Sequence, residues 1–156
     1  MITCTFEKGF TAHLRHVVVH AICVKGNSIV LVKRAEGIVE PGKWAIPGGF
    51  LDMNESGSEG VLREFTEETG YGGKVKACFR VFTRPRIQGT DRQDVAIDYL
   101  IESKKRVKKT EWDSVDVRWF ALTKLPGKKT IAFDHWEIIQ QYLKYRENPF
   151  PLPLVV

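Results

Sequence analysis

The sequence predicts an α/β protein in which a mixed β-sheet is packed between helices. Three observations point there. Six or so segments carry the β-branched or alternating pattern of strands. A capped amphipathic helix stands early, after residue 55, and a second stands late, over 134–146. Strands and helices interleave along the chain, which fits layers rather than a bundle or an all-β barrel.

The early stretch, residues 49–71, reads GFLDMNESGSEGVLREFTEETGY. Ser56 and Glu59 match the S-x-x-E capping box, in which each end satisfies an orphan donor of the other. Val61, Leu62, Phe65 and Thr69 form one stripe for a core, and Gly70 suits a left-handed C-terminal cap. Glu64, Glu67 and Glu68 stand at i, i+3 and i+4 on an adjacent stripe. Like charges so placed cost a helix about 0.2–0.5 kcal/mol per pair. A solvated acidic face is the ordinary explanation of such a cluster. The alternative is a site for a hard divalent cation, which prefers carboxylate oxygens.

The remaining elements follow from local pattern. Residues 1–15 have no clear period and suit a short first strand or an arm across the sheet. Residues 16–24 (HVVVHAICV) read as a buried strand, Gly26-Asn27 as a turn, and 28–34 as the returning strand of a hairpin. His16 and His20 share a face there, without the thiol or carboxylate spacing of a metal site, and read as core or edge histidines. Residues 37–47 read as a loop. After the early helix, Gly72-Gly73 reads as flexible. Residues 74–83 alternate as a strand, with Val75, Ala77, Phe79 and Val81 on the inner face and Arg80 on the outer. Residues 84–92 form an Arg-rich loop, 94–103 a strand, 104–113 a loop and 116–122 a strand with Trp119 and Phe120 on opposite faces. In the late helix, Asp134 and Glu137 cap the start, while Ile138, Ile139, Tyr142 and Leu143 face inward. The tail holds three prolines among apolar residues and must lie extended, on the body or in a partner.

Whole-chain properties narrow the function classes. The 156 residues are read as one domain, 1–156, with a Pro-rich tail over 149–156. The hydrophobic fraction is an ordinary 43%, no apolar run approaches the length of a membrane-spanning helix, and the N-terminus lacks a signal-peptide layout. The expectation is a cytoplasmic protein with no membrane partner. Three widely spaced cysteines make neither a disulfide framework nor a zinc pattern. The net charge of +5 suits a polyanionic small molecule. The basic run around Lys104 and Lys109 lacks interleaved aromatics, so nucleic acid is not expected.

The spacing around the acidic helix is more specific than its charge. Gly49, five residues, Glu55, seven residues, then Arg63-Glu64-Phe65-Thr66-Glu67-Glu68-Thr69-Gly70-Tyr71 resembles the Nudix box, the signature of the Nudix hydrolases. Phe65 and Tyr71 stand where aliphatic residues are usual, a change of packing only. The preceding run from Gly42 to Gly49 is similar to the family as well.

The resemblance implies the family's α/β/α sandwich and a Mg²⁺ cofactor, with Mn²⁺ as a substitute. The implied reaction is hydrolysis of a nucleoside diphosphate linked to another moiety. By the same resemblance Glu64 and Glu68 are the principal metal ligands. Glu67 ligates directly or through water, and the Gly48 carbonyl completes the shell. Glu55 and Arg63 orient the glutamates. The general base comes from the box or from a later loop, where Glu111 is preferred over Asp113. Pro85, fifteen residues after Gly70, and the run ending Ala132-Phe133-Asp134-His135 resemble the ADP-ribose pyrophosphatase branch. Candidate substrate contacts are Arg34, Trp44, Arg80, Arg84 and Arg86, with Trp44 better suited to packing. A triphosphatase acting on an oxidised nucleotide such as 8-oxo-dGTP, or a non-catalytic ADP-ribose sensor, are the competing readings. Homodimer and monomer both stay open.

Overall fold

The computed structural model describes residues 2–85, 93–107 and 114–156. Glu111 and Asp113 of the later loop, and Arg86, lie outside the described residues.

Strands β1 (Ile2–Thr5) and β2 (Thr11–Leu14) pair with each other in a separate antiparallel hairpin. This resolves the patternless N-terminus, whose residues are largely exposed and so carry no burial period. The main sheet is built around β3 (Val17–Lys25), which turns at Gly26-Asn27 into β4 (Ser28–Arg34). The stretch 37–47, read as a loop, contains one short strand, β5 (Trp44–Ala45), and a second, β6 (Gly48–Phe50), follows directly after it. Helix α1 (Gly57–Thr69) follows, then β7 (Tyr71–Phe82), β8 (Val95–Arg106), β9 (Ser114–Ala121), α2 (His135–Glu147) and β10 (Leu154–Val155). Among the described residues one path of the larger sheet runs β10-β7-β8-β3-β4-β5, with β6 on β3 and β9 on β4. The sheet is mixed: β3 runs parallel to β8 and β10 parallel to β7, while the other pairs are antiparallel.

Strand alternation divides the core into two layers. Val19, Ala21 and Cys23 of β3 pack with Val30, Ile101 and the Val61 and Phe65 side chains of α1. Ile22, Ile29 and Leu31 face the other way, onto Phe79 and the Ile138 and Ile139 side chains of α2. Each helix therefore covers one face of the sheet, as the α/β/α expectation requires. Trp119 and Phe120 fall into opposite layers as their alternation predicts.

Three local expectations are corrected. Gly72-Gly73 is strand, not a flexible joint. β8 and α1 pack so closely on it that a Cβ on Gly73 would stand 2.9 Å from Ile101 Cγ2 of β8 and 3.1 Å from Leu62 Cδ2 of α1. The basic run Lys104–Arg106 extends β8 rather than opening a loop. The carboxylate of Asp134 does not cap α2; it stands 3.5 Å from Arg80 Nη2 instead. Among the described residues no helix is long and apolar enough to cross a membrane.

Candidate active site

The box forms a strand, a turn and a helix. Gly48 and Gly49 of β6 lie opposite His20 and Val19 of β3. A Cβ on Gly48 would stand 2.1 Å from the Val19 carbonyl oxygen, and one on Gly49 would stand 2.4 Å from Glu64 Oε1. Only bare backbone fits between β3 and the acidic face of α1. The helix begins as expected: Ser56 Oγ accepts from the Glu59 N–H, and the Glu59 carboxylate accepts from the Ser56 N–H at 2.8 Å. It ends at Gly70 with φ 73°.

Arg63 organises the acids. Its Nε and Nη2 donate to the two Glu55 oxygens at 3.0 and 2.7 Å. Its Nη1 donates to Glu64 at 2.8 Å and to Glu67 at 3.3 Å, and Nη2 also reaches the Phe50 carbonyl at 3.1 Å. Glu55 accepts a further bond from the Asp52 N–H at 2.8 Å. The Arg63 guanidinium and that N–H hold the Glu55 carboxyl at about 2. Glu64 shifts the other way: burial raises its carboxyl despite the Arg63 bond. Glu68 accepts from the Gly48 N–H at 2.8 Å.

Glu64, Glu68, Gly48 and Gly49 line a cavity of about 770 Å³. His20, Asp134 and His135 line it too, and Arg34, Glu40 and Phe133 belong to the same wall set. Beneath it runs a buried polar chain. Asp98 Oδ1 accepts from His20 Nδ1 at 2.8 Å, and Asp98 Oδ2 accepts from Arg80 Nε. Arg80 also reaches Gln141 at 3.4 Å. The His20 and His135 rings meet edge-on with centroids 4.7 Å apart, and His135 Nδ1 accepts from the Ile46 N–H at 2.9 Å.

Of the candidate substrate contacts, Arg34 lines the cavity. Arg80 is corrected: it is 2% exposed and lies under the cavity, not on its rim. The physical reason is a shift of register in β7 between Cys78 and Arg80, which breaks the alternation and turns both Phe79 and Arg80 inward. Trp44 takes a packing place, the role that suited it better than substrate contact. Its ring packs edge-on against Phe120 at 4.8 Å with Arg118 over it, outside the cavity lining. Arg84 is exposed just past β7 and is not part of the lining.

Sequence reasoning passed over Asp98 and Glu40, gave Asp134 to the helix cap, noted His135 only within the branch resemblance, and took His20 as a core or edge residue. Asp98 left a signal: it is an acid inside a strand, in phase with Ala96 and Leu100. No similar signal marks Glu40.

Among the described residues no three His, Cys, Asp or Glu side chains are arranged to hold a metal ion as they stand. Arg63 and the Gly48 N–H occupy the carboxylates instead. The donor set nevertheless fits a hard cation. It is all oxygen, it is anionic, and Glu64 carries a burial penalty that a cation would relieve.

Comparison with known proteins agrees with this geometry. The NUDIX domain model matches residues 14–142. An ADP-ribose pyrophosphatase of Methanocaldococcus jannaschii is 34% identical over 136 residues, 85% of this chain and 75% of that protein. A putative 8-oxo-dGTP diphosphatase of Bacillus subtilis is 31% identical over 102 residues, 65% of this chain and 63% of that protein. The crystal structure of a NUDIX hydrolase from Nitrosomonas europaea superposes with a TM-score of 0.79 at 24% identity, covering 96% of this chain and 82% of that one. With the NUDIX domain model matching residues 14–142 and a 34% identical relative aligned over 85% of its length, the chain belongs to the Nudix family and is a pyrophosphohydrolase.

Proposed function

We propose that the chain hydrolyses ADP-ribose to AMP and ribose 5-phosphate with the help of Mg²⁺ or Mn²⁺. The observation that carries the reading is the cavity wall on which Glu64 and Glu68 meet the side-chain-free backbone of Gly48-Gly49. A diphosphate needs its charge neutralised and a water deprotonated, and a bound divalent cation supplies both. Glu64, Glu68 and the Gly48 carbonyl would hold that cation, with Glu67 beside them.

The chain's own residues do the rest. Arg63 is bonded to Glu55 by two donors and holds the rotamers of Glu64 and Glu67. The Gly48 N–H orients Glu68. Arg34 places a cation in the cavity lining, suited to the anionic substrate. Glu111 is retained as the general base on the strength of the resemblance alone. The choice of ADP-ribose is supported by the M. jannaschii relative's name and by the greater share of both chains that this match covers.

The test is a product-resolved panel with purified protein and Mg²⁺, comparing ADP-ribose, NADH, diadenosine polyphosphates and 8-oxo-dGTP. The expected outcome is AMP and ribose 5-phosphate from ADP-ribose at the highest kcat/KM. Strong turnover of 8-oxo-dGTP beside weak turnover of ADP-ribose sinks the reading in favour of a triphosphatase. Tight binding of ADP-ribose without products sinks it in favour of a sensor.

A further inference from the structure

Two residues of the cavity wall hold backbone conformations that L side chains rarely adopt: Glu40 at φ 57° and Phe133 at φ 53°. For a bulky side chain this is a true outlier, which persists only where the surroundings impose it. The two are tied to each other, since the Phe133 N–H donates to Glu40 Oε2 at 2.7 Å. The other Glu40 oxygen accepts from Lys43 at 3.1 Å. Neighbouring bonds fix Phe133 on both sides. Ala132 N–H donates to the Trp44 carbonyl at 2.8 Å, and His135 is anchored to the Ile46 N–H.

The strain does not carry the Phe133 ring into the core. Phe133 remains 39% exposed, a large apolar ring facing the cavity. Arg34 stands over the ring with its guanidinium carbon 4.7 Å from the centroid, itself steered by a 2.7 Å bond from Nε to the Val39 carbonyl. His135 meets the ring at 61°, so among the described residues no ring lies flat against it. A rigid, half-exposed π face, polarised by a cation, fits a flat aromatic ligand better than a sugar.

We infer that Phe133 is the shelf on which the nucleobase of the substrate stacks, with Arg34 backing the ring and Glu40 acting as the positioning residue that holds it out. The inference rests on the nucleotide-substrate reading above and adds the base subsite to it. Stacking of a base on an aromatic side chain is tolerant of base identity. The shelf therefore predicts affinity for the nucleotide half of the substrate without itself selecting adenine.

The test compares the two product halves as ligands of the full chain in the presence of Mg²⁺: AMP, which carries a base, and ribose 5-phosphate, which does not. Phe133→Leu should weaken AMP by about tenfold or more and change ribose 5-phosphate by less than about twofold. Phe133→Trp should keep AMP affinity. Glu40→Leu should weaken AMP in the same direction, and Glu40→Gln, which keeps an acceptor oxygen, should restore it. Thermal melts identify any variant that fails to fold, and Phe133→Trp and Glu40→Gln keep the comparison alive in that event. Equal losses for both ligands, or unchanged AMP affinity in Phe133→Leu, overturn the shelf. So does a wild-type protein that does not bind AMP. Turnover is read separately: AMP bound through Phe133 without ADP-ribose cleavage keeps the shelf and removes the substrate assignment, and cleavage with an indifferent Phe133 does the reverse.

Discussion

A guanidinium taken out of water costs several kcal/mol unless its donors are met and its charge is opposed. Arg80 meets this in part, through a specific set of neighbours. Asp98, itself fully buried, takes Nε, Gln141 takes Nη1 at 3.4 Å, and Asp134 opposes Nη2 at 3.5 Å without a hydrogen bond. Removing one member leaves an uncompensated charge, so Arg80→Met and Asp98→Asn should each destabilise the fold by about 3–5 kcal/mol. Because the two residues share one interaction, Arg80→Met/Asp98→Leu should cost clearly less than the sum of the single costs. Urea unfolding midpoints of the singles and the double measure this. Small, additive costs would mean that the pair is solvated and that Arg80 is free to serve as a rim residue after all. The same chain of bonds reaches His20 in the cavity wall, so residues that never touch the substrate set the orientation of one that lines its cavity.

Within α1 the acids divide by environment, and the helix concentrates opposite shifts on one short surface. Glu64 is raised by burial, while Glu55, just ahead of the helix, is held at about 2 against an ordinary 4.5 by the Arg63 fork and the Asp52 N–H. Glu59 is lowered by the Ser56 hydroxyl and N–H of the capping box. A carboxyl whose folded value is depressed contributes stability above its unfolded value and loses it as pH falls through the folded one. For Glu55 that window runs from 4.5 down to about 2. Glu55→Gln should therefore melt below wild type near neutral pH, and the gap should close steadily as pH falls across this window. Paired thermal melts across that range check it, since titrating groups remote from Glu55 are common to both proteins and cancel in the difference. A gap independent of pH would assign the loss to packing around Asp52 and Gly60 rather than to the charge. This helix was legible in the sequence because everything that defines it is local: a cap at Ser56, a stop at Gly70, and acids one turn apart.

At the scale of the whole molecule, legibility fell with separation along the chain. The β3–β4 hairpin and the two helices follow from short-range pattern, but the parallel pairing of β3 with β8 joins Val17 to Val95, and no local signal specifies it. The shifts of register in β7 hid Arg80, and the left-handed turn at Phe133 hid the exposed ring, because neither is written in hydrophobic period. The tail shows the same limit from the other side. Its prolines exclude a helix, yet only the structure shows where it docks. β10 adds to the free edge of β7 in parallel, with Val156 N–H donating to the Val81 carbonyl at 2.9 Å and the Thr83 N–H donating to the Val156 carbonyl at 2.7 Å. Phe150 packs on Tyr145 and Phe79, and Leu152 rests on the α2-side core. Full burial of such side chains contributes about 1.5–3 kcal/mol each, and these two are only partly buried. Deleting residues 149–156 should thus destabilise the fold by about 2–4 kcal/mol. It should also leave the β7 edge open, so self-association should rise with concentration. None of these residues lines the cavity, so kcat on the best substrate should stay within about twofold at temperatures where the truncated chain is folded. Denaturant unfolding, light scattering and initial rates separate the three effects. A truncated chain as stable as the full one would show that the tail rests on the sheet without supporting it. A large fall in kcat with stability intact would show that the tail reaches the cavity through β7 and Arg80.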